Sequence, residues 1–181
     1  MRYIVLDLEA TCWRGILRPN RQEIIEIGAY KLDEFGTVLG RFTSFIKPIV
    51  HPYLSTFCKR LTTIQQSDVD NAQTFPFVLR YFLDWVHEED DEFAICAWGN
   101  DDLRLLEQDC DLHKEDKAFL RNYLDVKHRY NIMIGRPNQM LGLKAAVKHA
   151  GFSFEGDAHR AMPDAFNLCK IFIKHIDEWQ F

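Results

Sequence analysis

The order of apolar and polar positions divides the chain into short elements. Arg2 to Asp7 is β-branched and apolar and predicts a strand, as does Glu23 to Leu32 (EIIEIGAYKL). Phe35-Gly36 marks a turn, and the loose alternation from Thr37 to Ile46 predicts a third, antiparallel strand. After Pro48 and Pro52 the pattern turns helical, with helices expected over Leu54 to Arg60 and Ile64 to Asn71. A stronger helix follows Thr74 as N-cap, because Phe75, Val78, Leu79, Phe82, Leu83 and Val86 recur at helical spacing. The wholly apolar run Phe93 to Trp98 predicts a buried strand, followed by a helix over Asp101 to Cys110 and a short strand near Tyr123 to Val126. Two helices close the chain, Gln139 to Ala150, stopped by Gly151, and Ala161 to Glu178. A meander followed by alternating helices and short strands implies an α/β fold, a mixed sheet covered by helices.

Length and composition fit this picture. At 181 residues and 47% apolar content the chain is expected to form a single domain over residues 1–181. No window holds the roughly 18 apolar residues of a membrane span, and the first residues lack the apolar region and small-residue cleavage site expected of a secretory signal. A cytoplasmic protein with no membrane partner is therefore expected. Cys12, Cys58, Cys96, Cys110 and Cys169 are scattered without a C-x-x-C, which points to reduced, partly buried thiols rather than disulfides or a zinc site. The net charge of −5 gives no general attraction for polyanions, so any nucleic-acid contact has to be local. Basic residues gather at Arg14, Arg18 and Arg21, at Lys59 and Arg60, and at Lys127, His128, Arg129 and Arg136. Solvated loops and faces account for each such group taken alone.

Three polar stretches carry candidate chemistry. Residues two apart on a strand share a face, so Asp7 and Glu9 project together if the first strand reaches Glu9, and are separated if Glu9 lies in a loop beyond it. Paired carboxylates raise each other's pKa unless a cation lies between them, and hard oxygen donors suit magnesium or manganese. Asn100-Asp101-Asp102 opens a helix after the buried strand, where an acid serves as an ordinary cap or joins the first pair. His159 to Asp164 leads into the last helix, with Pro163 tolerated in the first turn. By itself His159 reads as an ordinary surface or core histidine sooner than as a catalytic base.

Taken together, the three stretches resemble the pattern of the DEDDh 3′→5′ exonucleases: Asp-x-Glu, a later Asp at a helix start, and His-x-x-x-x-Asp. Within that superfamily the likeness is to exonucleases that trim histone messenger RNA, small interfering RNA and ribosomal RNA 3′ ends, and to small bacterial relatives. It runs through DLEATCW, QEIIEIGAYKL, PYLSTFCKRLTTIQQSDVDNAQTFP, NQMLGLKAAVKHAGF and HRAMPDAFNLCKI, nearly the whole chain. The resemblance implies a ribonuclease H-like mixed β-sheet flanked by α-helices. It also implies metal ligation by Asp7, Glu9, Asp101 and Asp164, with Glu9 and His159 catalytic and His159 the general base. Asp101 is preferred to Asp102 on its spacing to Leu105 and Leu106. The cofactor implied is Mg2+, two ions per site, with Mn2+ able to substitute. The implied partner is the 3′ end of single-stranded RNA or DNA, with RNA expected, lodged against Ala10, Thr11, Trp13 and Leu61; simple packing accounts for Trp13 as well. A DNA exonuclease, or a non-catalytic nucleic-acid-binding or regulatory domain on this fold, are the alternatives. Leu8, Thr63 and Pro163 depart from the family, which often has Phe, Gly and an acidic residue there. The oligomeric state is left open.

Overall fold

A computed structural model of the chain describes residues 1–15, 21–87 and 92–179. Arg18, in the first basic group, lies outside the described residues. Five strands form one sheet: β1 (Arg2–Ala10), β2 (Ile24–Leu32), β3 (Val38–Phe45), β4 (Phe93–Ala97) and β5 (Tyr123–Asp125). Their order is β3-β2-β1-β4-β5, with β2 antiparallel to β1 and β3, and β4 parallel to β1 and β5. The helices are α1 (Thr56–Thr62), α2 (Gln66–Asp70), α3 (Phe75–Val86), α4 (Asp101–His113), α5 (Val126–Met133), α6 (Leu143–His149) and α7 (Ala161–Lys174).

Alternation along β1 assigns the two faces of the sheet. Ile4, Leu6 and Leu8 pack with Phe75, Val78, Leu79 and Phe82 of α3 and Leu106 and Cys110 of α4. Val5 points the other way, into a core with Cys96, Leu124, Tyr130, Val147, Leu168 and Phe172. The residues following Val5 on its face are Asp7 and Glu9, so the second core ends at two acids. Leu8, at a position where the family often has Phe, is 7% exposed within the first core. All five cysteines are free thiols.

Several boundaries differ from those the sequence pattern predicts, for identifiable reasons. β1 continues through Ala10 because its backbone pairs with β2 as far as Ile24, which keeps Glu9 in the strand and opposite Glu26. The short helix α5 is not anticipated by the pattern, in which Lys127 to Arg129 reads as a basic group. Its start is fixed by the Asp125 carboxylate, which accepts the His128 N–H at 2.8 Å. Helix α6 begins at Leu143 rather than Gln139, with Gly142 as an extended N-cap. The buried Asn131 side chain holds the preceding loop, donating to the Lys127 carbonyl and accepting the Leu141 N–H. Helix α7 ends at Lys174, and a 3-10 turn over Ile176–Glu178 follows.

Thr63 caps α1 at φ 62°, the left-handed region that favours glycine. A β-branched residue there is strained by about 1–2 kcal/mol. Thr63→Gly is therefore expected to raise the melting temperature, at about 2–4 °C per kcal/mol for a domain of this size. An unchanged or lower value in a thermal melt would show that the strain is relieved elsewhere.

Candidate active site

The carboxylate cluster is built at the C-terminal end of β1. Asp7 sits opposite Gly28 and Glu9 opposite Glu26 on β2. Gly28 is required by packing: a Cβ there would lie 2.5 Å from the Ala161 carbonyl carbon and the Met162 nitrogen. The first turn of α7 thus rests directly on the sheet beside Asp7, which brings Asp164 over the strand. Gly28→Ala is expected to lift that turn, costing about 1–3 kcal/mol of stability as overpacking does. Chemical denaturation checks the cost; a fully stable variant would contradict the close approach.

The strand β4 and helix α4 supply the next acid, and here the expectation for Asp101 is not met. The Asp101 side chain is 87% exposed and pairs with Arg104 on the outside of α4. Asp102 is the residue turned inward: it is 7% exposed, and its Oδ1 accepts the Leu8 N–H at 3.1 Å. That bond lands between Asp7 and Glu9 on β1. Leu105 and Leu106 give the wrong phase because Leu106 is buried in the core whereas Leu105 is only partly covered. At a helix start, adjacent residues point about 100° apart, so a one-residue error is enough to carry a side chain from the buried face to solvent.

Asp164, 8% exposed, accepts the His159 backbone N–H at 2.8 Å through Oδ2. His159 itself is exposed and has φ 63°, a conformation held by the segments on either side of it. On the C-terminal side, Arg160 makes a forked pair with the buried Glu26, which also accepts the Ala161 N–H at 3.0 Å. On the N-terminal side, Asn167 accepts the Glu155 N–H and donates to the carbonyls of Glu155 and Pro163. Pro163 also closes over Gly156, whose added Cβ would meet the proline Cβ at 2.9 Å. The departure at Pro163 therefore braces the loop that carries His159.

Ligand atoms of Glu9, His159 and Asp164 all lie within 4.8 Å of one another. Asp7 and Asp102 complete the acidic group electrostatically. Burial, then the charges of Asp102, Asp164 and Glu9, hold the Asp7 carboxyl well above the usual range. Burial and the neighbouring acids push Glu9 up to about 8, and burial pushes Asp102 up to about 7 despite its hydrogen bond from Leu8. Asp164 is also raised, chiefly by burial. Four hard oxygen donors that resist ionisation together fit a divalent cation, which would supply the missing positive charge.

The sign of the pH effect follows. These acids bind protons more tightly folded than unfolded, so their contribution is fully present below about pH 4 and is lost as pH rises through about 7 to 8. The metal-free protein is expected to melt at lower temperature at pH 8 than at pH 5. A divalent cation at a hundredfold excess over its dissociation constant adds about 2.7 kcal/mol, or about 5–10 °C. Differential scanning calorimetry with chelator and with added cation checks both signs; a metal-free melting temperature that rises over this interval would contradict the reading.

The four residues expected to hold the terminal nucleotide follow Glu9 or face the segment after it, and Ala10 and Thr11 are buried there. Thr11 is 1% exposed; its hydroxyl accepts the Glu23 N–H, so its side chain shapes the loop. Glu23 in turn accepts the N–H groups of Ile49, Val50 and His51, and the His51 ring meets Trp13 edge-on at 4.9 Å. Ser55 donates to the Cys12 carbonyl at 2.6 Å, and the Cys58 thiol faces the Ala10 carbonyl, so α1 with Leu61 is laced to the segment of Ala10, Thr11 and Trp13. Trp13 and Leu61 remain partly accessible.

Comparison with known proteins gives this arrangement a family. A profile described as Exonuclease (RNase_T) matches residues 4–172. ERI1 exoribonuclease 2 of Homo sapiens is 30% identical over 96% of this chain, and 3'-5' exoribonuclease 1 of Mus musculus is 26% identical over 96%. The chain spans 28% and 52% of the lengths of those two relatives. Among solved structures, the nuclease domain of 3'hExo, a DEDDh family member bound to rAMP, superposes with a TM-score of 0.91 at 25% identity, covering 98% of this chain and 92% of that one. The five-stranded sheet with its flanking helices thus has the ribonuclease H-like nuclease fold. Since the matched region runs from the first strand into the last long helix, and so takes in every element that supplies the acidic cluster, this chain belongs to the exonuclease family.

Proposed function

We propose that the chain is a 3′→5′ exonuclease that hydrolyses phosphodiester bonds at the 3′ end of single-stranded RNA and releases nucleoside 5′-monophosphates. The observation that carries this reading is the convergence of Asp7, Glu9, Asp102 and Asp164 from three separate elements beside an exposed imidazole. Magnesium, with manganese as a substitute, is the cation these carboxylates would hold; it would sharpen a water nucleophile and offset charge on the departing 3′ oxygen. The protein's own tasks are distinct. Asp7 and Glu9 are fixed by strand pairing, Asp102 by the Leu8 N–H and Asp164 by the His159 N–H. The imidazole of His159 takes a proton from the attacking water, a role suited to a ring nitrogen with a free lone pair at the mouth of the carboxylate cluster. Trp13 and Leu61 would pack against the terminal base, and base–aromatic stacking of this kind tolerates any base at about 1–3 kcal/mol.

RNA is favoured by the relatives named as exoribonucleases. No residue of the site is assigned to a 2′-hydroxyl, so the test uses both polymers. Labelled single-stranded RNA and DNA are incubated with the protein and magnesium, with and without chelator. Metal-dependent shortening of RNA from its 3′ end is expected. Faster digestion of DNA would make it a DNA exonuclease, and no shortening of either polymer would support a non-catalytic binding domain.

A further inference from the structure

From Val126 to Phe154 the chain has no aspartate or glutamate, yet it carries Lys127, Arg129, Arg136, Lys144 and Lys148. In a protein of net charge −5 this is a local reversal of sign. The run folds as α5, the loop pinned by Asn131, and α6. Among the described residues, no ion pair engages Lys127, Arg129, Arg136 or Lys144.

A cavity of about 460 Å³ joins this segment to the acidic cluster, lined by Asp7, His159 and Asp164 together with Trp98, Lys144 and Phe154. Lys144 is exposed, and its ammonium lies 5.9 Å from the centre of the Phe154 ring. The Lys127 stem crosses the end of β4, with its Cδ 3.5 Å from where a Cβ on Gly99 would stand. Two cations from separate helices therefore flank Trp98-Gly99. The Trp98 indole N–H is buried there without an acceptor, an unsatisfied donor of the kind that calls for explanation.

Chain direction separates this cavity from the segment expected to hold the terminal nucleotide. Ala10, Thr11 and Trp13 follow Glu9, whereas Asp7 and not Glu9 lines the cavity. With the terminal nucleotide at that segment and the scissile phosphate at the carboxylates, the remaining strand is directed toward the cavity. We propose that the cavity and the acid-free segment bind the phosphodiester backbone upstream of the scissile bond. Lys144 and Lys127 contact successive phosphates, and Phe154 and Trp98 face the penultimate nucleotide. This rests on the exonuclease reading.

The test compares an oligonucleotide long enough to cover the segment with a dinucleoside monophosphate, which has only the scissile phosphate. In the double variant Lys127→Gln, Lys144→Gln, the ratio of kcat/KM on the long substrate to that on the short one is expected to fall about tenfold or more at 0.1 M salt, through KM. The slope of log kcat/KM against log salt should become shallower by about 0.7 for each lysine lost. Arg121→Gln, at the opposite end of the sheet, is the charge control. An unchanged ratio and slope, or an equal loss from Arg121→Gln, would overturn the inference. Ribo- and deoxyribo-oligonucleotides share the backbone and should lose in equal proportion; a loss confined to one of them would overturn backbone recognition. No turnover of either substrate by the unaltered protein would overturn the exonuclease reading itself, and this inference with it.

Discussion

Asp102→Asn is expected to lower kcat/KM by about 10²- to 10³-fold, the range for removing a preorganised charged or dipolar group. Asp101→Asn, one residue away, should leave the rate within a few-fold of the unaltered protein. The contrast follows from placement alone. Asp102 is enclosed, bonded to the Leu8 N–H and electrostatically joined to Asp7 and Asp164, whereas Asp101 is in solvent with Arg104. An exposed i,i+3 pair of this sort is worth only a few tenths of a kcal/mol. Asparagine at 102 keeps the acceptor for Leu8 but removes the charge, so the fold should survive. Relief of charge crowding in the metal-free protein should even raise its melting temperature. Steady-state rates and melts of the two variants decide the matter; a larger loss from Asp101→Asn would restore the assignment that leucine spacing suggests.

The same two aspartates mark how far the order of amino acids reaches by itself. Periodicity locates the five strands and most helices because the buried faces are continuous: Ile4, Leu6 and Leu8 on one side of β1, and Phe75 to Val86 along α3. It fails where the signal is a single turn. Helix α5 has only Val126 and Tyr130 as strongly buried apolar positions, too few to display a stripe. The cluster can be anticipated at Asp7, Glu9, His159 and Asp164, which the structure brings together, since strand alternation and a helix start constrain them. Asp102 requires knowing the rotation of α4 about its axis. Glu26, Gly28, Arg160 and Asn167 escape notice for a different reason. Each acts through a partner outside its own element, as Arg160 does with Glu26 and Asn167 with Glu155, and such pairing has no period.

His159→Ala is expected to reduce turnover by about 10²- to 10⁴-fold, the usual worth of a positioned general base. Stabilisation by added cation should persist, because the four carboxylates remain in place. This separates two roles that proximity alone does not, since a His159 ring nitrogen lies within 4.8 Å of the Glu9 and Asp164 oxygens. The exposed position of the ring and the hard oxygen set favour proton transfer over ligation, because magnesium seldom recruits imidazole. The fixed backbone serves the same role: Asp164 grips the His159 N–H while Arg160 and Glu26 hold the next residue, so the ring is presented without closing the site. If His159→Ala lost the thermal shift produced by cation along with its activity, the histidine would be a ligand. If it kept full activity across neutral pH, it would have no part in the reaction.

The proposed reaction is hydrolysis at a 3′ end by water activated beside Asp7, Glu9, Asp102 and Asp164. Its most direct test is the chemical identity of the first product released from a single-stranded RNA with a free 3′-hydroxyl, followed by mass spectrometry in water enriched in oxygen-18. A nucleoside 5′-monophosphate from the 3′ terminus, with the heavy oxygen on its phosphate, is the predicted result. Release of a 3′-phosphate or cyclic phosphate, or of products from the 5′ end or the interior, would contradict the account.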